Sequence, residues 1–251
     1  MFKLKKKNNI RDMVVEYGGI KFPMQTLHVL LAQSAFAEVR RRYESLGNVF
    51  ETIVINRDFQ QEFLSSFYGA NATYFNSIKD HIPSDCRRIL DIGCGIGLID
   101  IFVYRELRQC KPELYLYDKS IDLRQLTSDR IAPTGFNETY VFTASLELTK
   151  QFLLLNGVDR QDVNLCEVGN WGIREAAPID LVISRKSWGF HFPVGEYLDD
   201  VTHSLRPGGV VITDVRNGQG AEEDMRHMLG DVRILKKDRK SNLVIGHSLR
   251  N

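Results

Sequence analysis

The chain has 251 residues, 43% of them apolar and 26% charged, with a formal charge of +1. That usage excludes a disordered chain, and the near-zero charge argues against a surface built throughout for nucleic acid or anionic lipid, leaving only a local basic patch open. A chain this long buries one substantial core without disulfides or metals, as a large α/β domain or a core with a smaller appendage.

The basic start, residues 1–7, is followed by Asn8, Asn9, Arg11 and Asp12, where a signal peptide would need its apolar run. No stretch approaches the ~20 apolar residues of a membrane span. Cys86, Cys94, Cys110 and Cys166 form no CxxC pair and no zinc-like spacing with histidine, so they read as buried free thiols of a reducing compartment. The expectation is a cytoplasmic protein with no metal and no membrane contact.

In chain order, Leu27, Leu30, Leu31, Ala35, Phe36 and Val39 fall at helical spacing. A second helical run, 59–82, contains Phe63, Phe67, Ala70, Tyr74, Phe75 and Ile78; Gly69 and Asn71 weaken its centre, which leaves two shorter helices as an alternative. From residue 87 short β-type runs at 88–92, 113–117, 163–168, 179–184 and 209–214 alternate with helical ones, the mark of a parallel sheet covered on both faces. The tail, 232–235 and 243–247, has too short a connection for a parallel crossover and must be an antiparallel hairpin. The segment between Ser120 and Val163 is about twice as long as one crossover helix needs. Its second half, 145–156, is that helix, and residues 121–143, with Pro133, Gly135 and Asn137, are an insertion.

The fold class that follows is α/β: a three-layer, Rossmann-like sheet of seven strands, five parallel plus a C-terminal antiparallel hairpin, with N-terminal helices. Residues 1–80 form a helical section expected to cover the active site, and residues 81–251 form the core with its insertion at about 121–143.

The sequence Ile89-Leu90-Asp91-Ile92-Gly93-Cys94-Gly95-Ile96-Gly97 runs an apolar strand into a glycine turn ahead of a helix at 98–107. Glycine lets the backbone turn sharply and approach a ligand, and the helix start offers N–H groups to it. Asp118 ends the next strand, 21 positions beyond Gly97. A carboxylate there accepts hydrogen bonds from the two hydroxyls of a ribose, although an Asp at a strand end also caps helices. These features together point to an adenosine-containing cofactor without separating a nicotinamide from S-adenosylmethionine.

The stretch from Asp91 to Gly97 resembles the first motif of the class I S-adenosylmethionine-dependent methyltransferases, with its acid two places before the first glycine. Leu205-Arg206-Pro207-Gly208-Gly209, leading into Val210-Val211-Ile212-Thr213-Asp214, is similar to that family's turn into its fifth strand; Asp180-Leu181-Val182-Ile183-Ser184 resembles its fourth. The resemblance spans roughly residues 75–249. It implies S-adenosylmethionine as cofactor, with Asp91 near the methionine amino group, Gly93, Cys94, Gly95 and Gly97 lining the ligand, Asp118 on the ribose and Lys119 beside it. It further implies Asn170 at the adenine amino group, where the family usually carries Asp, Trp171 against the adenine ring, and Ser184 at the end of the fourth strand.

The following loop, Ser184-Arg185-Lys186-Ser187-Trp188-Gly189-Phe190-His191-Phe192-Pro193 and then Tyr197, should face the transferred methyl, because ligands bind at the carboxyl ends of parallel strands. Trp188, Phe190 and Tyr197 are the candidate substrate-binding wall, whose π faces suit a sulfonium. His191 is the candidate general base for a hydroxyl acceptor. The Asn/Asp-Pro-Pro-Tyr signature of many base-amine methylating members is missing at residues 184–187. Asp199, Asp200 and Asp214 read as a solvated face. Lys3, Lys5, Lys6, Lys7, Arg11 and the cluster Arg40, Arg41, Arg42 are candidate nucleic-acid contacts or solvated charge. The leading expectation is methyl transfer to a small-molecule acceptor at oxygen. The alternatives are transfer to RNA or another macromolecule, and a non-catalytic cofactor-binding subunit.

Overall fold

The computed structural model describes residues 13–24, 26–27, 57–120 and 145–248. The anticipated helix around residues 25–44 apart from residues 26 and 27, the basic residues before 12 and at 40–42, and the insertion at 121–143 lie outside them.

A hairpin of β1 (Val14–Tyr17) and β2 (Ile20–Pro23) opens the described chain, an element the sequence reading did not anticipate. The long helix α1 (Arg57–Ile78) follows. The core then alternates β3 (Arg88–Ile92), α2 (Leu98–Glu106), β4 (Glu113–Asp118), α3 (Leu146–Leu155), β5 (Val163–Glu167), β6 (Ile179–Ser184), α4 (Leu198–Ser204) and β7 (Leu205–Arg216). It closes with α5 (Ala221–Leu229), β8 (Gly230–Lys237) and β9 (Ser241–Ser248).

Seven strands form one sheet in the order β5-β4-β3-β6-β7-β9-β8. Neighbours from β5 to β7 are parallel, while β9 runs antiparallel to both β7 and β8. The chain builds outward from β3 to β5, then crosses back to place β6 on the other side of β3. This reversal opens a crevice above the carboxyl ends of β3 and β6, the topological switch point where α/β sheets bind ligands.

Strand alternation assigns each side chain to a face. Ile89, Leu114, Leu116, Leu181, Ile183, Val210 and Ile212 pack with α1, α2, α3 and the hairpin in one core. Leu90, Ile92, Val182 and Val211 face a second core closed by Val201, Met225 and Leu229. The three layers of the expected fold are therefore present.

Helix α1 runs unbroken through Gly69 and Asn71. Phe63, Phe67, Asn71, Tyr74 and Ile78 form a buried stripe at helical spacing, whereas Gly69 lies on the exposed side. Burying such a stripe outweighs the cost of about 1 kcal/mol for one glycine. Asn71 is tied into the helix by donating from Nδ2 to the Phe67 carbonyl at 2.8 Å. The hairpin is held by Asn156, which caps α3, accepts from the Lys21 N–H at 2.8 Å and donates back to the Lys21 carbonyl at 2.9 Å. These contacts lie at the end of α3 opposite the glycine turn, so the hairpin braces the helix layer away from the crevice.

Candidate active site

The glycine turn joins β3 to α2. Gly93 has φ +77° and donates its N–H to the Tyr117 carbonyl at 2.7 Å, which anchors the turn to β4. A Cβ at Gly93 would collide with the Ser187 hydroxymethyl, so the loop after β6 rests directly on the turn. Gly97 caps α2 with φ +76°, and a Cβ there would meet Leu153 Cδ1 at 2.5 Å and Thr149 Cγ2 at 3.1 Å. Gly97 thus serves the close approach of α3 rather than lining the crevice. Thr149 Oγ1 completes that contact by donating to the Gly95 carbonyl at 2.5 Å.

Acids surround the turn. Asp118, on the same face of the sheet as Asp91, accepts from the Gly95 N–H at 2.9 Å and from the Lys119 N–H at 2.7 Å. Burial raises its carboxyl to about 6, opposed by those two N–H groups. Asp91 is buried in β3, and burial with the facing carboxyl of Asp100 pushes it well up; Asp100 is itself raised by burial to about 6. Two carboxyls this close share a proton more readily than they both ionise. Neither Asp91 Oδ1 nor Asp100 Oδ2 receives a hydrogen bond from an N–H or hydroxyl among the described residues. The buried Cys94 thiol is also raised, by burial and then by Asp118.

The loop 184–197 is only partly the aromatic wall that was expected. Ser184 is fully buried; its Oγ donates to the Ile92 carbonyl at 2.7 Å and accepts from the Trp188 N–H at 2.9 Å. It locks the loop to β3. Trp188 is fully buried in the second core, with Nε1 donating to the Val194 carbonyl at 2.7 Å. An indole is the largest apolar side chain of the loop, and its burial outweighs any use as an open wall. Tyr197 packs edge-on against Tyr117 at 5.5 Å between ring centres, also at the second core. Phe190 is half-buried under the Arg216 guanidinium, 4.7 Å from its ring centre. His191 is exposed beside Phe190, with ring centres 5.0 Å apart. Partial burial, then the charges of Arg216 and Lys186, lower its pKa, which keeps the imidazole neutral near pH 7.

On the other flank, Lys119 and Asn170 are exposed at the ends of β4 and β5. Asn170 Nδ2 donates to Glu167 at 3.1 Å, leaving its amide oxygen as the acceptor. Trp171 stacks on Tyr115 with ring centres 6.0 Å apart and tilts over Tyr117. It fills an aromatic cluster against the sheet, with only part of its surface open.

Sequence reasoning missed a polar cluster above β6 and β7. Tyr74 of α1 is buried, with the Arg185 guanidinium 5.4 Å from its ring centre and its hydroxyl without a partner among the described residues. Burial, then the charges of Asp214 and Asp91, push that phenol well up, so it stays protonated. Arg185 donates to Asn71 Oδ1 at 2.5 Å. Asp214, expected on a solvated face, is buried at the end of β7 with Oδ2 unpartnered among the described residues. Burial raises its pKa, opposed by Arg185 and Lys186. The signal was available: Asp214 follows the largely apolar run 210–213 near the end of β7, Asp118 ends β4, and Asp91 stands inside an apolar strand.

Glycine turn, strand-end carboxylate and buried acids suit a ligand that brings hydroxyl and ammonium donors, as the ribose and amino group of S-adenosylmethionine do, and the positive charge of a sulfonium. Among the described residues no His, Cys, Asp and Glu group could hold a metal, and no helix is long and apolar enough to cross a membrane. No protein of curated function matches the sequence significantly.

Among solved structures the chain is similar to the T. thermophilus 16S rRNA N2 G1207 methyltransferase in complex with AdoMet and guanosine, at 15% identity and a TM-score of 0.49. The match covers 71% of this chain and 43% of that one, so this chain spans less than half of that relative's length. It is similar to the precorrin-6y C5,15-methyltransferase of Geobacter metallireducens GS-15, at 15% identity, 71% and 87% coverage and a TM-score of 0.48. Cofactor-bound Rv0187 from MTB matches at 17% identity over 90% of both chains, with a TM-score of 0.47. A family profile described as a methyltransferase domain matches residues 57–251. The chain belongs to that family and is a class I, S-adenosylmethionine-dependent methyltransferase.

Proposed function

We propose that this enzyme transfers the methyl group of S-adenosylmethionine to oxygen of a small-molecule acceptor, with His191 as general base. What supports this most is the seating of Ser187 on Gly93, which draws the short loop bearing His191 to the glycine turn. The loop is closed by N–H groups of Phe190, His191 and Phe192 donating to the Ser187 carbonyl at 2.8–3.1 Å. A base held on so compact a loop keeps its position as the acceptor arrives.

In this reading Asp118 takes the ribose hydroxyls, Asp91 the ammonium, and Gly93, Cys94 and Gly95 the nearby backbone contacts. Lys119 and Asn170 edge the ribose and adenine, with the open side of Trp171 beside them. Gly97 and Ser184 act one step back, fixing the turn and the loop. S-adenosylmethionine supplies an electrophilic methyl carbon; an acceptor oxygen takes it as the carbon–sulfur bond breaks and the electron pair returns to sulfur. The acceptor's proton goes to the neutral His191 imidazole. A small acceptor is supported by the scale of the open space above β6 and β7, about 120 Å³, which α1 walls on one side.

The test is methyl transfer from radiolabelled S-adenosylmethionine to a size-fractionated metabolite extract and, separately, to total RNA. Label should enter the low-molecular-weight fraction as an alkali-stable ether. Label entering RNA instead, with steep salt dependence, would overturn the small-molecule reading. His191→Ala should lower kcat about 10²-fold with the S-adenosylmethionine Kd unchanged.

A further inference from the structure

The open space just mentioned has a chemistry of its own. Beyond β3 and β6 the register runs on: Arg185 follows the Ser184–Thr213 pair and so stands beside Asp214, which pairs with Leu243 of β9. Asp118, on β4, is three strands from Asp214, roughly 14 Å at about 4.8 Å per strand. In the donor the sulfonium is one methylene from the ribose. A ribose gripped at Asp118 therefore brings the methyl only to β3 and β6, and the cavity over β7 and β9 lies past it, where the acceptor stands.

Charged and hydroxyl-bearing side chains line that cavity, the charged ones being Arg185, Lys186, Asp214, Lys236 and Asp238. Helix α1 contributes Thr73, Tyr74 and Ser77, and β9 contributes Ser241. Among the described residues its apolar side chains are Ala70 and Leu243. Two of its lining residues carry a buried polar atom, the Tyr74 hydroxyl and Asp214 Oδ2, that has no hydrogen-bond partner among the described residues. An unmade bond at a buried polar atom is unfavourable, so a ligand that supplies hydroxyls recovers both. Lys186, whose charge acts on both Asp214 and His191, connects this space to the loop carrying the base. Among the described residues Tyr74 is the one aromatic side chain in its lining, while Trp188 and Tyr197 belong to the second core. The cavity, about 120 Å³, is on the scale of a small polar ring.

We propose that this cavity is the acceptor pocket and that it takes a hydroxyl-rich, non-aromatic small molecule of about one sugar ring in size, one hydroxyl donating to Asp214 and another oxygen bonding Tyr74. The assignment rests on the methyl-donor reading above and narrows its acceptor.

The experiment first measures S-adenosylhomocysteine binding to the full chain by calorimetry. It then follows labelled methyl transfer to myo-inositol, D-glucose, D-ribose and glucose 6-phosphate, with catechol and total RNA as the contrasting acceptors. At least one polyol should be methylated in preference to catechol and RNA. Tyr74→Phe and Asp214→Asn should each lower kcat/KM for that polyol about tenfold or more, while the S-adenosylhomocysteine Kd changes less than about twofold. Preference for catechol or RNA, transfer to none of the four polyols, or wild-type kcat/KM in both variants overturns the proposal. Absence of S-adenosylhomocysteine binding to the wild-type chain is a different failure, that of the donor site itself, and removes the acceptor assignment with it.

Discussion

Replacing Asp118 by Asn should separate stability from binding. Its carboxyl is raised from 3.8 to about 6 by burial. A shift of about two pH units at about 1.36 kcal/mol each makes the ionised side chain cost the folded state roughly 3 kcal/mol at neutral pH. The sign follows from linkage. With the folded value above the unfolded one, the favourable contribution is complete below about pH 4, is lost as pH rises through about 6, and stays lost above. Asn removes that cost but weakens the hydrogen bonds that the carboxylate accepts from the Gly95 and Lys119 N–H groups at 2.9 and 2.7 Å, worth about 1–3 kcal/mol together. The net effect in Asp118→Asn is a gain of about 0–2 kcal/mol at pH 7.5, or up to about 6 °C in Tm, that vanishes near pH 4. Affinity for S-adenosylmethionine should fall in the same variant by about 1–3 kcal/mol, since the ribose meets a weaker acceptor. For the wild-type chain, calorimetry across pH should show affinity declining below about pH 6. Loss of more than about 1 kcal/mol of stability at pH 7.5 with unchanged affinity would refute the reasoning and make Asp118 a fastener of the turn.

Gly97→Ala forces a side chain into left-handed backbone and against Leu153, so denaturant unfolding should show a loss of about 2–5 kcal/mol; an effect below about 1 kcal/mol would contradict the packing role. Trp188→Ala empties a fully buried site and should cost about 3–5 kcal/mol in the same assay, whereas near-native stability would return Trp188 to the ligand wall. Because the His191 pKa is lowered, the acid limb of the pH–rate profile should lie below the ordinary imidazole value of about 6.5. A limb above that value would point to a different base.

Much of the fold was legible because strand boundaries carry strong local signals. The runs at 88–92 and 179–184 coincide with β3 and β6, and the terminal hairpin follows from its short polar connection. The β1–β2 hairpin escaped because Val14–Tyr17 and Ile20–Pro23 are only four residues each, and their pairing depends on docking against α1 and α3. Helix α1 was harder to extend through Gly69 and Asn71 because propensity counts each residue alone. The buried stripe that carries the helix past them is a tertiary fact. For the site, backbone signals did well and side-chain signals less so. The glycine turn and Asp118 come together as expected. The loop aromatics do not, because nothing in Ser-Trp-Gly-Phe-His-Phe says which ring turns inward; that depends on Ser184 bonding the Trp188 N–H and Val194 accepting from its indole.

The polar row across the sheet carries a more general lesson. Asp118, Gly93, Arg185 and Asp214 occupy one register level on β4, β3, β6 and β7, each at the end of an apolar strand and, for the three side chains, on the face covered by α1–α3. A strand buried on both faces has no structural use for a charged side chain at its carboxyl end, since water and solvated loops begin one or two residues later. Placing such a group there, under a helix, exacts desolvation that packing does not return. Asp214 keeps an oxygen without a partner among the described residues, and Asp118 spends its own on the turn. The last polar residue of each apolar strand is therefore the first position to test for a ligand contact in such a sequence. By that criterion Arg185 and Asp214 carry as strong a signal as Asp118, even though no glycine motif announces them.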